Sequence, residues 1–155
     1  MKVKIFICTL LLLIIMSAGC SSNSKNIYLN DIKINDTFEE VKTKTTGTLY
    51  KEESDNLVYD DNLYGYAVKV MYPFTDGVLR DIFFSFTDTY DSNEEYQLKY
   101  YKIKEKLIEK FGKRDMVEVQ DNCSAWNIKS EEEKYQVLLK MDEKNNITIL
   151  YSKVK

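Results

Sequence analysis

The sequence predicts an α+β domain: an antiparallel sheet of about six strands with two helices packed on one face, in the order α-β-β-β-α-β-β-β. Three observations carry this expectation. Residues 64–87 alternate between apolar and polar around a turn, and residues 93–111 place apolar side chains at helical spacing. The rest of the chain then alternates again between polar turns.

The elements follow in order. Lys2 and Lys4 form a positive start, an apolar run extends from Ile5 to Met16 broken only by Thr9, and the small residues Ser17, Ala18 and Gly19 precede Cys20. This is the three-part layout of a secretory signal. Twelve apolar residues at ~1.5 Å rise span only ~18 Å, against ~30 Å of hydrocarbon, so a membrane-crossing helix is the poorer reading. Ser17-Ala18-Gly19-Cys20 resembles the lipobox of bacterial lipoproteins, with Ser17 standing where that family usually has leucine. The resemblance implies cleavage before Cys20 and a lipid on its sulfur. Expected organisation is therefore a signal peptide at 1–19, a lipidated flexible tether at 20–26 and one domain at 27–155. The expected location is the outer face of the cell membrane or, in a two-membrane cell, the outer membrane.

Composition narrows the chemistry. Loss of Lys2 and Lys4 with the leader takes the formal charge from −3 to −5, a mildly acidic balance that argues against a nucleic-acid partner. Five glycines and one proline are too few for a disordered or fibrous chain. Of three cysteines, Cys8 leaves with the leader and Cys20 is expected to be acylated, so Cys123 has no thiol to pair with inside the chain. We expect Cys123 to be buried and inert. The sequence has no histidine, which removes Ser-His-Asp and Cys-His catalysis and histidine-based zinc sites.

Asp36-Thr37-Phe38-Glu39 reads as a capping box with Asp36 as N-cap, opening a helix over 37–45 that Gly47 closes as a left-handed cap. Residues 51–62 are acidic and poorly patterned, with an edge strand expected around Leu57–Tyr59. Tyr64, Tyr66, Val68, Val70 and Tyr72 then share one face of a strand. Pro73 to Gly77 supplies turn chemistry, and Val78–Thr87 returns with Ile82, Phe84 and Phe86 on one side. Ser92-Asn93-Glu94-Glu95 is a second capping box. It opens a long helix with Tyr96, Tyr100, Ile103, Leu107 and Phe111 in line, ended by Gly112. Its lysines at 99, 102, 104, 106 and 110 alternate with Glu105 and Glu109 and read as a solvated face. Strands are expected near Met116–Gln120, Ser124–Lys129, Tyr135–Met141 and Ile147–Val154, the last two joined by an Asp142–Asn146 turn.

On these elements two resemblances rest. Ile34, Thr37 and Val41 are similar to the opening pattern of small lipoprotein domains of the BamE (SmpA/OmlA) family, with Asn35 or Asp36 where that pattern has glycine. The stretch Leu98 to Phe111-Gly112, Trp126 and a strand ending in Leu150-Tyr151 resembles tandem helix-plus-strands domains of the β-lactamase-inhibitor-protein type. Both imply a protein-binding or assembly module.

Candidate chemistries have simpler explanations. Ser22…Lys25 and Ser152…Lys155 match Ser-x-x-Lys, but acyl-enzyme chemistry needs a desolvated lysine, and these lie in the tether and at the end of the chain. Asp91, Asn93 and Glu95 have the spacing of three calcium ligands, but Tyr96 and Lys102 stand where glycine and glutamate are required, so capping explains them better. Asp55, Asp60, Asp61 and Asn62 read as a solvated loop. No catalytic residue, metal site or cofactor is expected. Tyr64, Tyr66 and Tyr72 are the candidate partner-contact face, since tyrosine suits surfaces that are soluble alone and bury area on binding; cross-strand packing is the competing account. The expected function is a membrane-anchored, non-catalytic protein-binding or assembly module of the cell envelope, acting on an envelope protein partner. The alternative is a carboxylate-dependent glycan hydrolase.

Overall fold

A computed structural model describes residues 32–129 and 133–154. The expected leader, Cys20 and the tether lie outside the described residues, as do Ser22, Lys25 and Lys155. The domain is α+β. Its elements are α1 (Phe38–Lys44), β1 (Thr48–Glu53), β2 (Asn56–Leu63), β3 (Tyr66–Thr75), β4 (Val78–Leu79), β5 (Asp81–Phe86), α2 (Asn93–Phe111), β6 (Met116–Gln120), β7 (Cys123–Lys129), β8 (Lys134–Met141) and β9 (Ile147–Val154).

All nine strands form one antiparallel sheet in the order β1-β2-β3-β5-β9-β8-β7-β6, with the two-residue β4 pairing beside β3. The sequence leads us to expect about six strands and three after each helix. The described chain instead has five strands after α1 and four after α2. Two of the three extra strands arise in the N-terminal half and one in the C-terminal half, where all four patterned segments after α2 are strands. Residues 48–63 form two full strands where one short edge strand is expected, because β1 is exposed along all six residues and shows no apolar alternation. β2 is also an inner strand, paired with β1 on one side and β3 on the other. The return strand expected over 78–87 is split at Arg80 into β4 and β5.

Turn positions shift for local reasons. Tyr64 and Gly65 have φ of 57° and 85° and make the two-residue β2–β3 turn, so β3 starts at Tyr66 rather than Tyr64. Asp76 and Gly77, with φ of 54° and 77°, play the same part after β3, which runs through Pro73 and Phe74 instead of stopping there. The first capping box sits one residue later than expected: Thr37 is the N-cap, and Glu40 returns the bond to the Thr37 N–H at 2.8 Å. Asp36 instead accepts from the Lys33 N–H at 2.7 Å and from Lys44 Nζ at 2.8 Å, closing the turn before the helix. Helix α1 ends at Thr45 in extended geometry, so Gly47 is not a left-handed cap. Its lack of a side chain serves close approach: a Cβ there would lie 2.8 Å from the Asp60 carbonyl oxygen of β2. The second capping box is Ser92 with Glu95 as expected, and Gly112 caps α2 by donating to the Ile108 carbonyl at 2.8 Å.

One face of the sheet holds the core. Leu57, Tyr59, Val70, Tyr72, Ile82, Phe84, Trp126, Tyr135, Val137, Leu139, Ile149 and Tyr151 are buried from the strands, and Val41, Tyr100, Ile103, Leu107 and Phe111 from the two helices join the same cluster. Fully burying one such aliphatic or aromatic side chain contributes about 1.5–3 kcal/mol, and with Leu79 of β4 the core draws on every strand from β2 to β9 except the edge strand β6. The two meanders, β1–β5 and β6–β9, meet where β5 pairs with β9 in the middle, Phe84 opposite Ile149.

Candidate interaction site on the open face of the sheet

The residues expected to contact a partner lie on the covered side. Tyr72 is 2% exposed and belongs to the core, its ring 6.0 Å from that of Tyr59. It therefore cannot serve as a contact residue, which corrects that expectation. Tyr64 packs against the core from its turn; its hydroxyl is buried without a hydrogen-bond partner among the described residues, and desolvation pushes its pKa up to about 12. Tyr66 packs edge-on to Phe86, the ring centroids 6.2 Å apart. The period-two pattern put Tyr66 and Tyr72 on one face of β3, whereas Tyr64 lies in the turn before it; all three pack on the side of the core cluster that the two described helices join.

Tyr66 instead belongs to a cation cage. Lys99 of α2, expected in solvent, is 3% exposed, and its ammonium lies 4.9 Å from the Tyr66 ring, 5.0 Å from Phe86 and 5.3 Å from Tyr90. Asp88 completes the box at 2.7 Å from Lys99 Nζ. Burial raises the Asp88 pKa, but the hydrogen bond and charge of Lys99, with backbone N–H groups, outweigh it and hold the carboxyl below its ordinary value. Three rings and a carboxylate satisfy a buried ammonium, so the cage pins α2 to the loop after β5.

A second polar chain anchors α2 further along. Lys104 bonds Glu118 of β6; Ser124 Oγ of β7 donates to the other Glu118 oxygen at 2.8 Å; and the Tyr100 hydroxyl lies 3.2 Å from Ser124 Oγ. The Lys104 bond, followed by that from Ser124, holds the Glu118 pKa below its ordinary value. Ser124 is fully buried while Glu118 is half exposed, so the array runs from the surface into the core and acts as a structural brace between α2, β6 and β7. Cys123 beside it is buried with a free thiol.

Other candidates are accounted for locally. Asp60 pairs with Lys69 at 2.8 Å on neighbouring strands, so the Asp55–Asn62 cluster lies largely on β2 rather than in a loop. Glu95 is committed to the α2 cap. No group of three metal-ligating side chains occurs among the described residues. A shallow hollow of about 610 Å³ lies between the β6–β7 and β8–β9 turns. Its central carboxylate, Asp142, accepts from the Lys144 and Asn146 N–H groups, both at 2.9 Å, and from the Asn146 amide, and these bonds hold its pKa down.

The opposite, open face carries the feature without a local explanation. Strand register places Val58, Met71, Phe83, Leu150, Leu138, Ala125 and Val117 directly opposite one another, in a single row across β2, β3, β5, β9, β8, β7 and β6. With strands ~4.8 Å apart the row is about 29 Å long. It is flanked by polar rows: Asp60, Lys69, Ser85, Thr148 and Lys140 on one side, and Asp81, Ser152, Gln136 and Asn127 on the other. Most of the row is half-buried, Ala125 is buried at 4% exposure, and Val117 at the sheet edge is 53% exposed. Charge divides the face. In the N-terminal half Lys51 pairs with Glu53 at 2.7 Å and Lys69 with Asp60. In the C-terminal half Lys129, Lys134 and Lys140 are exposed and form no ion pair among the described residues.

Sequence reasoning missed this row because residues at such distant positions align only through the register of six strand pairs. The one local signal was the apolar residue left on the second face of several strands, such as Met71 and Phe83. No protein family, no curated protein and no solved structure matches this chain.

Proposed function

We propose that this chain is a lipid-anchored lipoprotein of the cell envelope with no catalytic activity of its own, and that it binds a partner protein through the open face of its sheet. The observation that supports this reading is the seven-residue apolar row on the face away from both described helices. An open antiparallel face ordinarily alternates to polar residues, and a continuous apolar line there marks a surface that gains from being covered. The reading of the anchor comes from Ser17-Ala18-Gly19-Cys20.

Three measurements test it. Intact-mass analysis should find a diacylglyceryl group on Cys20, and Cys20→Ala should release the protein from membranes. A photo-reactive residue at Leu138 or Val117 should cross-link an envelope protein in cells, whereas the same group at Glu105 on the outer side of α2 should not. Equal or absent labelling at all three positions would reject the open face as the binding surface. Turnover of cell-wall glycan by the purified domain, abolished by a single carboxylate change, would restore the hydrolase alternative.

A further inference from the structure

Resting on that reading, we propose that the C-terminal half of the open face receives an acidic amphipathic helix of the partner protein, laid along the row from Phe83 to Val117.

Shape supports a helix. Over Phe83, Leu150 and Leu138 the row is one residue wide, with polar side chains on both sides at the next open-face positions, ~6.8 Å along each strand; on β7 and β6 it is bordered on one side by Cys123 and Val119. From Phe83 through Leu150, Leu138 and Ala125 to Val117 it crosses five strands, or about 19 Å, which matches about 13 residues of helix. A helix presents such a narrow apolar ridge at i, i+3, i+4 and i+7. A lipid leaflet is flat and extended in two directions; it is matched by a broad apolar patch, not by a line bordered with Ser152, Gln136 and Asn127.

Charge supports acidic flanks. Lys140 stands one open-face position beyond Leu138 on β8, and Lys134 stands two positions to the other side, directly opposite Lys129 of β7. A helix seated on Leu138 thus has an exposed lysine on each side that forms no ion pair among the described residues. The acid nearest Lys140 in sequence, Asp142, is turned into its own loop by the Asn146 and Lys144 bonds and meets Lys140 only through its charge, with no ion pair. Carboxylates of the partner helix would pair directly with these lysines, in the desolvating neighbourhood of an apolar contact where charge sign discriminates between partners.

The test uses residues 27–155, which contain the buried core of the described residues, Ile32 to Tyr151. The probes are synthetic amphipathic helices of about 14 residues: a leucine ridge with glutamate flanks, the same ridge with lysine flanks, and a scrambled glutamate peptide. The glutamate-flanked helix should bind at least tenfold more tightly than either other peptide, and more weakly as salt rises. The double variant Lys134→Glu with Lys140→Glu, both positions being exposed, should reverse the preference toward the lysine-flanked helix. Equal binding of the three peptides, or a preference the double variant leaves unchanged, overturns the proposal. So does binding to phosphatidylglycerol vesicles that the glutamate-flanked helix does not displace, which would assign the face to the membrane. If the peptides fail while the in-cell cross-link through Leu138 persists, only the partner's chemistry is wrong; loss of both rejects the binding module as well.

Discussion

Lys99 and Asp88 are a pair whose two halves are not equivalent. The Lys99 side chain is 2% exposed and that of Asp88 30%. Removing the carboxylate strands a buried ammonium with only ring faces around it, whereas removing the ammonium leaves an aspartate that water can reach. Asp88→Asn is therefore expected to destabilise by about 3 kcal/mol and Lys99→Met by about 1–2 kcal/mol, compared by urea unfolding. The pH dependence has a definite sign. Asp88, Glu118 and Glu133 all have folded pKa values held below their ordinary ones, so their contribution is complete above about pH 5 and is lost as pH falls through the folded values. Asp88→Asn should lower stability at neutral pH and flatten the acid limb of the curve. At Ser124 the asymmetry lies between neutral groups. Ser124→Ala leaves the buried Tyr100 hydroxyl without its partner, at a cost of about 1–3 kcal/mol. Tyr100→Phe removes both the hydroxyl and its need, and Ser124 keeps its bond to Glu118, so the loss should stay below about 1 kcal/mol. A larger loss for Tyr100→Phe than for Ser124→Ala, in the same unfolding measurement, would contradict the brace. None of this was legible in the sequence. Lys99 sits among other lysines on α2, and only the return of β5 brings Phe86 and Asp88 to it.

Among elements, legibility followed burial. Strands β7, β8 and β9 lie within a residue or so of where alternation placed them, because each buries a core-facing row and is bounded by a polar turn, whereas β6 fills its expected span although Val117 to Gln120 are exposed. Helix α2 was equally plain from its cap, its apolar line and Gly112. Strand β1 was not, since Thr48–Glu53 is exposed throughout and is a strand only because β2 offers it a ladder. Its charged residues suit an edge, where they discourage pairing with another chain. The α1 cap was misplaced because Asp36 to Glu39 and Thr37 to Glu40 share the same spacing, and only the Lys33 turn decides between them. Gly47 offers a test at this scale. Its missing side chain makes room for the Asp60 carbonyl, so Gly47→Ala should force β1 away from β2 and cost about 1–3 kcal/mol, whereas a left-handed cap role would predict strain without any change in the β1–β2 pairing. Amide exchange along β1 separates the two.

For the whole molecule, the candidate site shows the limit of reading a chain strand by strand. Alternation sorts residues into two faces, but which face is covered depends on where α1 and α2 settle, and the tyrosines went with the helices. The apolar row depends on still more, namely the order and register of strands far apart in sequence. Its centre, Phe83 opposite Leu150, is also the seam where the two meanders join. That seam has a consequence in time. Every other main ladder of the sheet joins strands that are neighbours along the chain, whereas Asp81 to Ser85 and Thr148 to Ser152 are separated by about 70 residues. Local hairpins close in microseconds, but this pairing must first overcome the closure entropy of the long intervening segment. Truncations at the seam, such as Phe84→Leu or Ile149→Val, should therefore slow folding, while Leu57→Ala in β2 should mainly speed unfolding, as read from the two limbs of a chevron. Until β5 and β9 pair, the molecule is two separate meanders with opposing unpaired edges. The pace of its maturation is expected to be set by the closing of that seam.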